Sequence, residues 1–210
     1  MGLSITVGLL DDLDRHDPEV AAHHARELAV LAEALQVKGI DWREPAASGS
    51  GHAAHSGGFP YGYLHHLRRA YVLHRHGAAV TPAATTDPEQ YDCDRGEVEE
   101  ETLMFSSHLL CHSDCAGYYV PADFEDPVFL PEDAAVAGGG MVGSTGRLLA
   151  ELRRTAPAIG ICPDAAAAVD GPADADAPAD DPYEAEKFAW YVLHGACRAS
   201  LATGRAIVFH

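Results

Sequence analysis

The chain has 210 residues, 47% of them apolar, and a net charge of −18 from 32 acidic and 14 basic side chains. That length and apolar content allow one sizeable core. No run approaches the roughly 18 apolar residues of a membrane span, and no basic stretch followed by an apolar one opens the sequence. Such acidity disfavours nucleic acid and anionic membrane surfaces as partners and suits a basic protein. A cytoplasmic location is expected.

Leu3 to Leu9 alternates as a first strand. Asp17-Pro18 reads as an N-cap followed by the first helical residue, and Ala21, Ala25, Leu28, Ala32 and Leu35 recur on one helical face up to Gly39. Residues 45–58, rich in Ala, Ser, Gly and His, read as a loop. A second helix is expected from Tyr61 to His76, and residues 81–100 read as an exposed acidic linker. Leu103-Met104-Phe105 reads as a buried strand and Ala116 to Val120 as another. Residues 122–143 read as loop, closing in Gly138-Gly139-Gly140.

Ser144 is placed to cap a third helix to about Thr155. Residues 163–180, of low complexity and rich in Asp, Ala and Pro, read as a solvated excursion. A fourth helix, apolar nearly all round, follows Asp181-Pro182 and ends at Gly204, and Ala206 to Phe209 closes the chain as a strand. The order predicts a single α+β domain over 1–210, with a mostly antiparallel sheet packed with about four helices.

Three clusters bear on function. His108, Cys111, His112 and Cys115 are offset by three, four and seven, a spacing that shares one face if the segment is helical. Two His and two Cys are a tetrahedral zinc set, although zinc sites usually draw pairs from separate segments. Zinc is therefore the candidate cofactor here. His112-Ser113-Asp114-Cys115 also gathers an imidazole and a thiol, the ingredients of a cysteine nucleophile. The plainer reading is a polar turn with a buried thiol.

The second cluster is a gap in the acidity. No acid lies between Glu44 and Asp87, so residues 45–86 carry +3 whereas 87–136 carry −13. His65, His66, Arg68 and Arg69 on the expected helix could bind an anionic ligand, with Tyr118 from a nearby strand as a wall. The alternative is that this helix lies against the acidic 87–101 segment. The third cluster, Gly138 to Arg147, is glycine-rich and enters a helix, but it matches neither a P-loop nor a dinucleotide fingerprint.

The five cysteines, Cys93, Cys111, Cys115, Cys162 and Cys197, are odd in number and unevenly spaced, which predicts free thiols. The run from His108 to Pro121, together with Phe59-Pro60-Tyr61, Leu67 to Tyr71 and Ala206 to Phe209, resembles uncharacterised actinobacterial proteins. The resemblance implies one intact domain and no known activity. Two functional readings follow from the residues. One is an acidic, non-enzymatic interaction or regulatory protein, immunity-like, that masks a basic partner. The other is a small metal- or cysteine-dependent enzyme centred on residues 106–115.

Overall fold

The structure is a computed structural model and describes residues 2–47, 49, 51–134, 136–162 and 181–210. Its strands are β1 (Gly2–Val7), β2 (His55–Pro60), β3 (Gly117–Val120), β4 (Val128–Phe129), β5 (Met141–Ser144) and β6 (Ile207–Phe209). Its helices are α1 (Leu9–His16), α2 (Pro18–Val37), α3 (Tyr61–Arg75), α4 (Pro88–Thr102), α5 (His108–Cys111), α6 (Thr145–Thr155) and α7 (Glu184–Thr203). The strands form one sheet in the order β2-β1-β6-β3-β5-β4. The closing strand β6 thus sits in the middle, with Ile5 opposite Phe209 on one side and Tyr118 opposite Val208 on the other. Among the described residues four strand pairings are antiparallel and one, β3 with β5, is parallel, so the sheet is mixed but mostly antiparallel, as expected.

Side chains alternate across the sheet, as a strand's period of two requires. Leu3, Ile5, Val7, Phe59, Tyr119, Ile207 and Phe209 meet α3, α6 and α7 on one face. Tyr118, Val120, Val142 and Val208 meet Leu28, Leu31 and Leu35 of α2 on the other. Helix α7 is central, as its all-round apolarity predicts. Trp190, Val192, Ala196 and Cys197 are fully buried, and the Trp190 indole donates to the Leu152 carbonyl at 2.7 Å.

The four expected helices are present as α2, α3, α6 and α7, and three more appear among the described residues. Most of the segment read as an acidic linker, 81–100, is helix α4, and the Gly/His loop, 45–58, runs into β2. Two glycines make β2 look like a loop. A Cβ at Gly58 would lie 2.6 Å from the Leu3 carbonyl oxygen, and one at Gly57 would lie 2.9 Å from Val192. The triplet Leu103-Met104-Phe105 is an exposed turn after α4, not a buried strand. Residues 122–143 hold β4 and the start of β5. The expected excursion at 163–180 lies outside the described residues.

Candidate functional site

Helix α4 starts where chemistry dictates. The Asp87 carboxylate accepts from the amides of Glu89 (2.9 Å) and Gln90 (3.4 Å), and Pro88 occupies the first turn. The helix then splits its charges between two faces. Tyr91, Asp94, Val98 and Glu101 recur at helical spacing and turn toward α3. Asp94, 2% exposed, meets the equally buried Arg69, with Nη2 to Oδ2 at 2.6 Å and Nε to Oδ2 at 2.7 Å. Arg69 also donates to the Thr81 carbonyl and hydroxyl, so its guanidinium is well satisfied. Glu101 takes Arg75 at 3.0 Å and His76 at 3.2 Å, and Glu97 takes His76 at 3.1 Å. Hydrogen bonds to Glu101 and Glu97 raise the His76 pKa. The basic helix therefore lies against the acidic segment.

Six carboxylates, on Asp87, Glu89, Asp92, Glu97, Glu99 and Glu100, remain exposed. Arg95, also exposed, reaches Asp92 at 3.3 Å and Glu99 at 3.9 Å and offsets one charge. The C-terminal end of a helix carries partial negative charge and favours cations. Here Glu97, Glu99, Glu100 and Glu101 crowd that end, and the last turn holds no basic residue. Glu99 and Glu100 are thus poorly placed for helix stability.

The seam between α3 and α4 encloses a cavity of about 330 Å³ lined by Gly62, His65, His66, Arg69, Tyr91, Arg95 and Val98. Three of the five residues expected to bind a ligand are there. His65 is 3.2 Å from Asp114. His66 is 2.7 Å from the Tyr91 hydroxyl through Nδ1, and burial lowers its pKa. The other two lie elsewhere. Arg68, one residue from Arg69 and so about 100° round the helix, turns inward and donates to the carbonyls of Leu109 (3.0 Å) and His112 (2.5 Å). Tyr118 belongs to the opposite face of the sheet.

Residues 106–115 form a hydrogen-bonded hub. Glu151 of α6 accepts from the amides of His108 (3.1 Å) and Leu109 (2.7 Å). The Tyr119 hydroxyl donates to the His108 carbonyl. Both His108 ring nitrogens are engaged: Nδ1 accepts from the Ser144 amide at 2.9 Å, which leaves Nε2 to donate to the Glu125 carbonyl at 3.1 Å. His112 stacks on Tyr119 with ring centroids 4.1 Å apart, and burial pushes its pKa down to about 4. The Cys111 thiol points to the Thr102 carbonyl at 3.6 Å, tying this hub to the end of α4, and burial raises its pKa. A nucleophilic cysteine needs the opposite shift. Cys115 is exposed, its sulfur 3.3 Å from the Ser113 hydroxyl. The described residues contain no group of three or more His, Cys, Asp or Glu placed to hold a metal ion. All five cysteines are free.

The Gly138–Gly140 turn leads into β5 before α6 begins, and Ser144 caps α6 by accepting from the Arg147 amide at 3.4 Å. Gly140 has φ 76°, and a Cβ there would lie 2.5 Å from the Leu130 carbonyl oxygen. The glycines therefore serve chain packing at this turn.

An acidic α+β protein with a carboxylate-bearing helix laid along its side is the class that fold and charge define. A family model described as "Putative DNA-mimic protein" matches residues 1–209, and the chain belongs to that family. No curated protein and no solved structure gives a significant match. Sequence reasoning missed α4 because its acid density reads as an unfolded linker. Yet Asp87-Pro88 is the same start signal as Asp17-Pro18, and could have found it.

Proposed function

We propose that this protein binds the DNA-contacting face of a basic protein, with the exposed row of α4 standing in for a phosphate strand. The exposed carboxylates of α4 carry this reading. From Glu89 to Glu100 the outward row spans about 17 Å of helix axis at roughly 1.5 Å per residue. One strand of duplex DNA places about five phosphates in that distance, at ~3.4 Å each. Glu89, Asp92, Glu99 and Glu100, less the charge of Arg95, supply more than half that charge, while Asp87 caps the helix and Glu97 pairs with His76. Masking is non-enzymatic and asks only for a stable surface, which the Arg69–Asp94 and Arg75–Glu101 pairs provide from behind. The test is capture from a nuclease-treated extract of the source cells on immobilised protein, followed by elution with duplex DNA at constant salt. Release of a basic DNA-binding protein by DNA supports the reading. Retention of every captured protein in excess DNA counts against it.

A second reading rests on the α3–α4 cavity, which His65, His66 and Arg69 border. Phosphate is the simplest probe. Calorimetric titration of the wild-type and His65→Ala proteins with inorganic phosphate should show heat only in the former, and its absence in both removes this reading.

A further inference from the structure

The outward stripe of α4 does not end in charge. Asp92, Gly96, Glu99 and Leu103 follow one another along the same helix face, spaced four, three and four residues apart. Leu103 still bonds back to Glu99, its amide donating to the Glu99 carbonyl at 3.2 Å. Beyond it the chain leaves the helix with Leu103 67%, Met104 68% and Phe105 52% exposed. Phe105 packs edge-on against Phe129 of the edge strand β4, itself 44% exposed, with ring centroids 5.3 Å apart. Four large apolar side chains in one exposed group are unusual on a monomer surface and mark contact sites. The backbone adds to the cost. Phe105 has φ 53°, and among the described residues it is the only non-glycine at positive φ. That region is costly for a bulky residue and natural for glycine.

Acids rim the group. Glu99 and Glu100 lie one turn before it on α4, and the exposed Glu125 and Asp126 lie on the segment that leads into β4. A second copy of the chain would bring this acidic rim against itself. A basic face, by contrast, would neutralise the rim. Arginine stacks on aromatic rings and is less strongly hydrated than lysine, so an arginine-bearing face suits both rim and rings. Nucleic acids offer the same pair of features, an anionic backbone beside flat aromatic surfaces.

We propose that Leu103, Met104, Phe105 and Phe129 form the apolar anchor for an arginine-rich DNA-binding face. The carboxylates of α4 speed the encounter, and the anchor slows release. This inference rests on the docking role proposed above for α4. It goes further by naming the residues that hold the partner and the cation they select.

The test uses two labelled peptides of equal charge, alternating Arg-Gly and alternating Lys-Gly, followed by fluorescence anisotropy across a salt series. The proteins compared are wild type, Phe105→Gly with Phe129→Ser, and Glu99→Gln with Glu100→Gln. Glycine is the unstrained residue at position 105, and circular dichroism and urea midpoints confirm that each variant is folded. The wild type should bind the arginine peptide roughly three- to tenfold more tightly than the lysine peptide. The phenylalanine variant should lose that preference and keep the salt slope. The glutamate variant should lower the slope for both peptides and keep the preference. Equal binding of the two peptides, or a preference that survives loss of both rings, overturns the anchor but leaves the acidic docking face standing. A salt slope unchanged by the glutamate changes instead defeats that docking face. Sedimentation velocity should show a monomer for both wild type and phenylalanine variant. A wild-type dimer that the phenylalanine changes dissolve would assign the patch to self-association and also overturn the anchor.

Discussion

Arg69 and Asp94 meet across the α3–α4 seam with Nη2 and Oδ2 2.6 Å apart, and each is almost wholly buried. The pair ties the middle of α4 to α3. Removing one partner leaves an uncompensated buried charge, which costs about 3–5 kcal/mol. Asp94→Ala should therefore lower the urea midpoint sharply. The double change Arg69→Met with Asp94→Leu should lose much less, because no charge is stranded. Equal losses in both would mean that packing, not charge, holds the seam.

Glu99 and Glu100 oppose the dipole of the helix they sit on. Replacing both with glutamine should stabilise the free protein by about 0.3–1 kcal/mol while weakening its hold on a basic partner. A thermal melt reads the first effect and the anisotropy series the second. A loss of stability would show that the Arg95–Glu99 contact outweighs the dipole penalty.

Much of this arrangement was legible in the sequence, and the exceptions have physical causes. Asp17-Pro18 and the apolar spacing from Ala21 to Leu35 fixed α2. Ser144 announced α6, and the unbroken apolar run around Trp190 announced a central helix. The gap in acidity rightly placed the basic helix against 87–101. The triplet Leu103-Met104-Phe105 could not be placed from composition, because a short apolar run reads alike in a buried strand and in an exposed anchor. Nor could the sequence reveal that Arg68 and Arg69 part company, one to carbonyl oxygens and the other to Asp94. The four His and Cys side chains of residues 108–115 share a spacing but not a direction, since α5 ends at Cys111 and His112 is extended.

Glu44 predicts a pH effect. Burial raises its pKa to about 7 although its side chain accepts from the Ala206 amide at 2.8 Å. A carboxyl raised on folding binds more protons in the native state. Its contribution is full below about 4.5, the ordinary carboxyl value, and is lost as pH rises through about 7. Wild type and Glu44→Gln should have similar urea midpoints at pH 5, whereas the variant should be the more stable at pH 8. A constant difference between them at the two pH values would show that Glu44 does not titrate in this window. His112 acts in the opposite sense. Its pKa, lowered from 6.5 to about 4 by burial, makes stability fall as pH drops across that range.

Gly96 interrupts the outer stripe of α4, and a Cβ there would meet nothing within 4 Å. Gly96→Ala should stabilise the helix by about 1 kcal/mol, seen as a higher melting temperature. A lower melting temperature would mean that the helix needs glycine at this point.

If α4 stands in for a phosphate strand, this protein and duplex DNA compete for one site on the basic partner. The direct measurement is displacement: the captured partner is loaded with a fluorescent DNA duplex, and this protein is titrated in at several salt concentrations. Stoichiometric release of the duplex is expected, steeply weakened by salt and lost when Glu89, Asp92, Glu99 and Glu100 are all changed to glutamine. A stable ternary complex in which the duplex stays bound would contradict it.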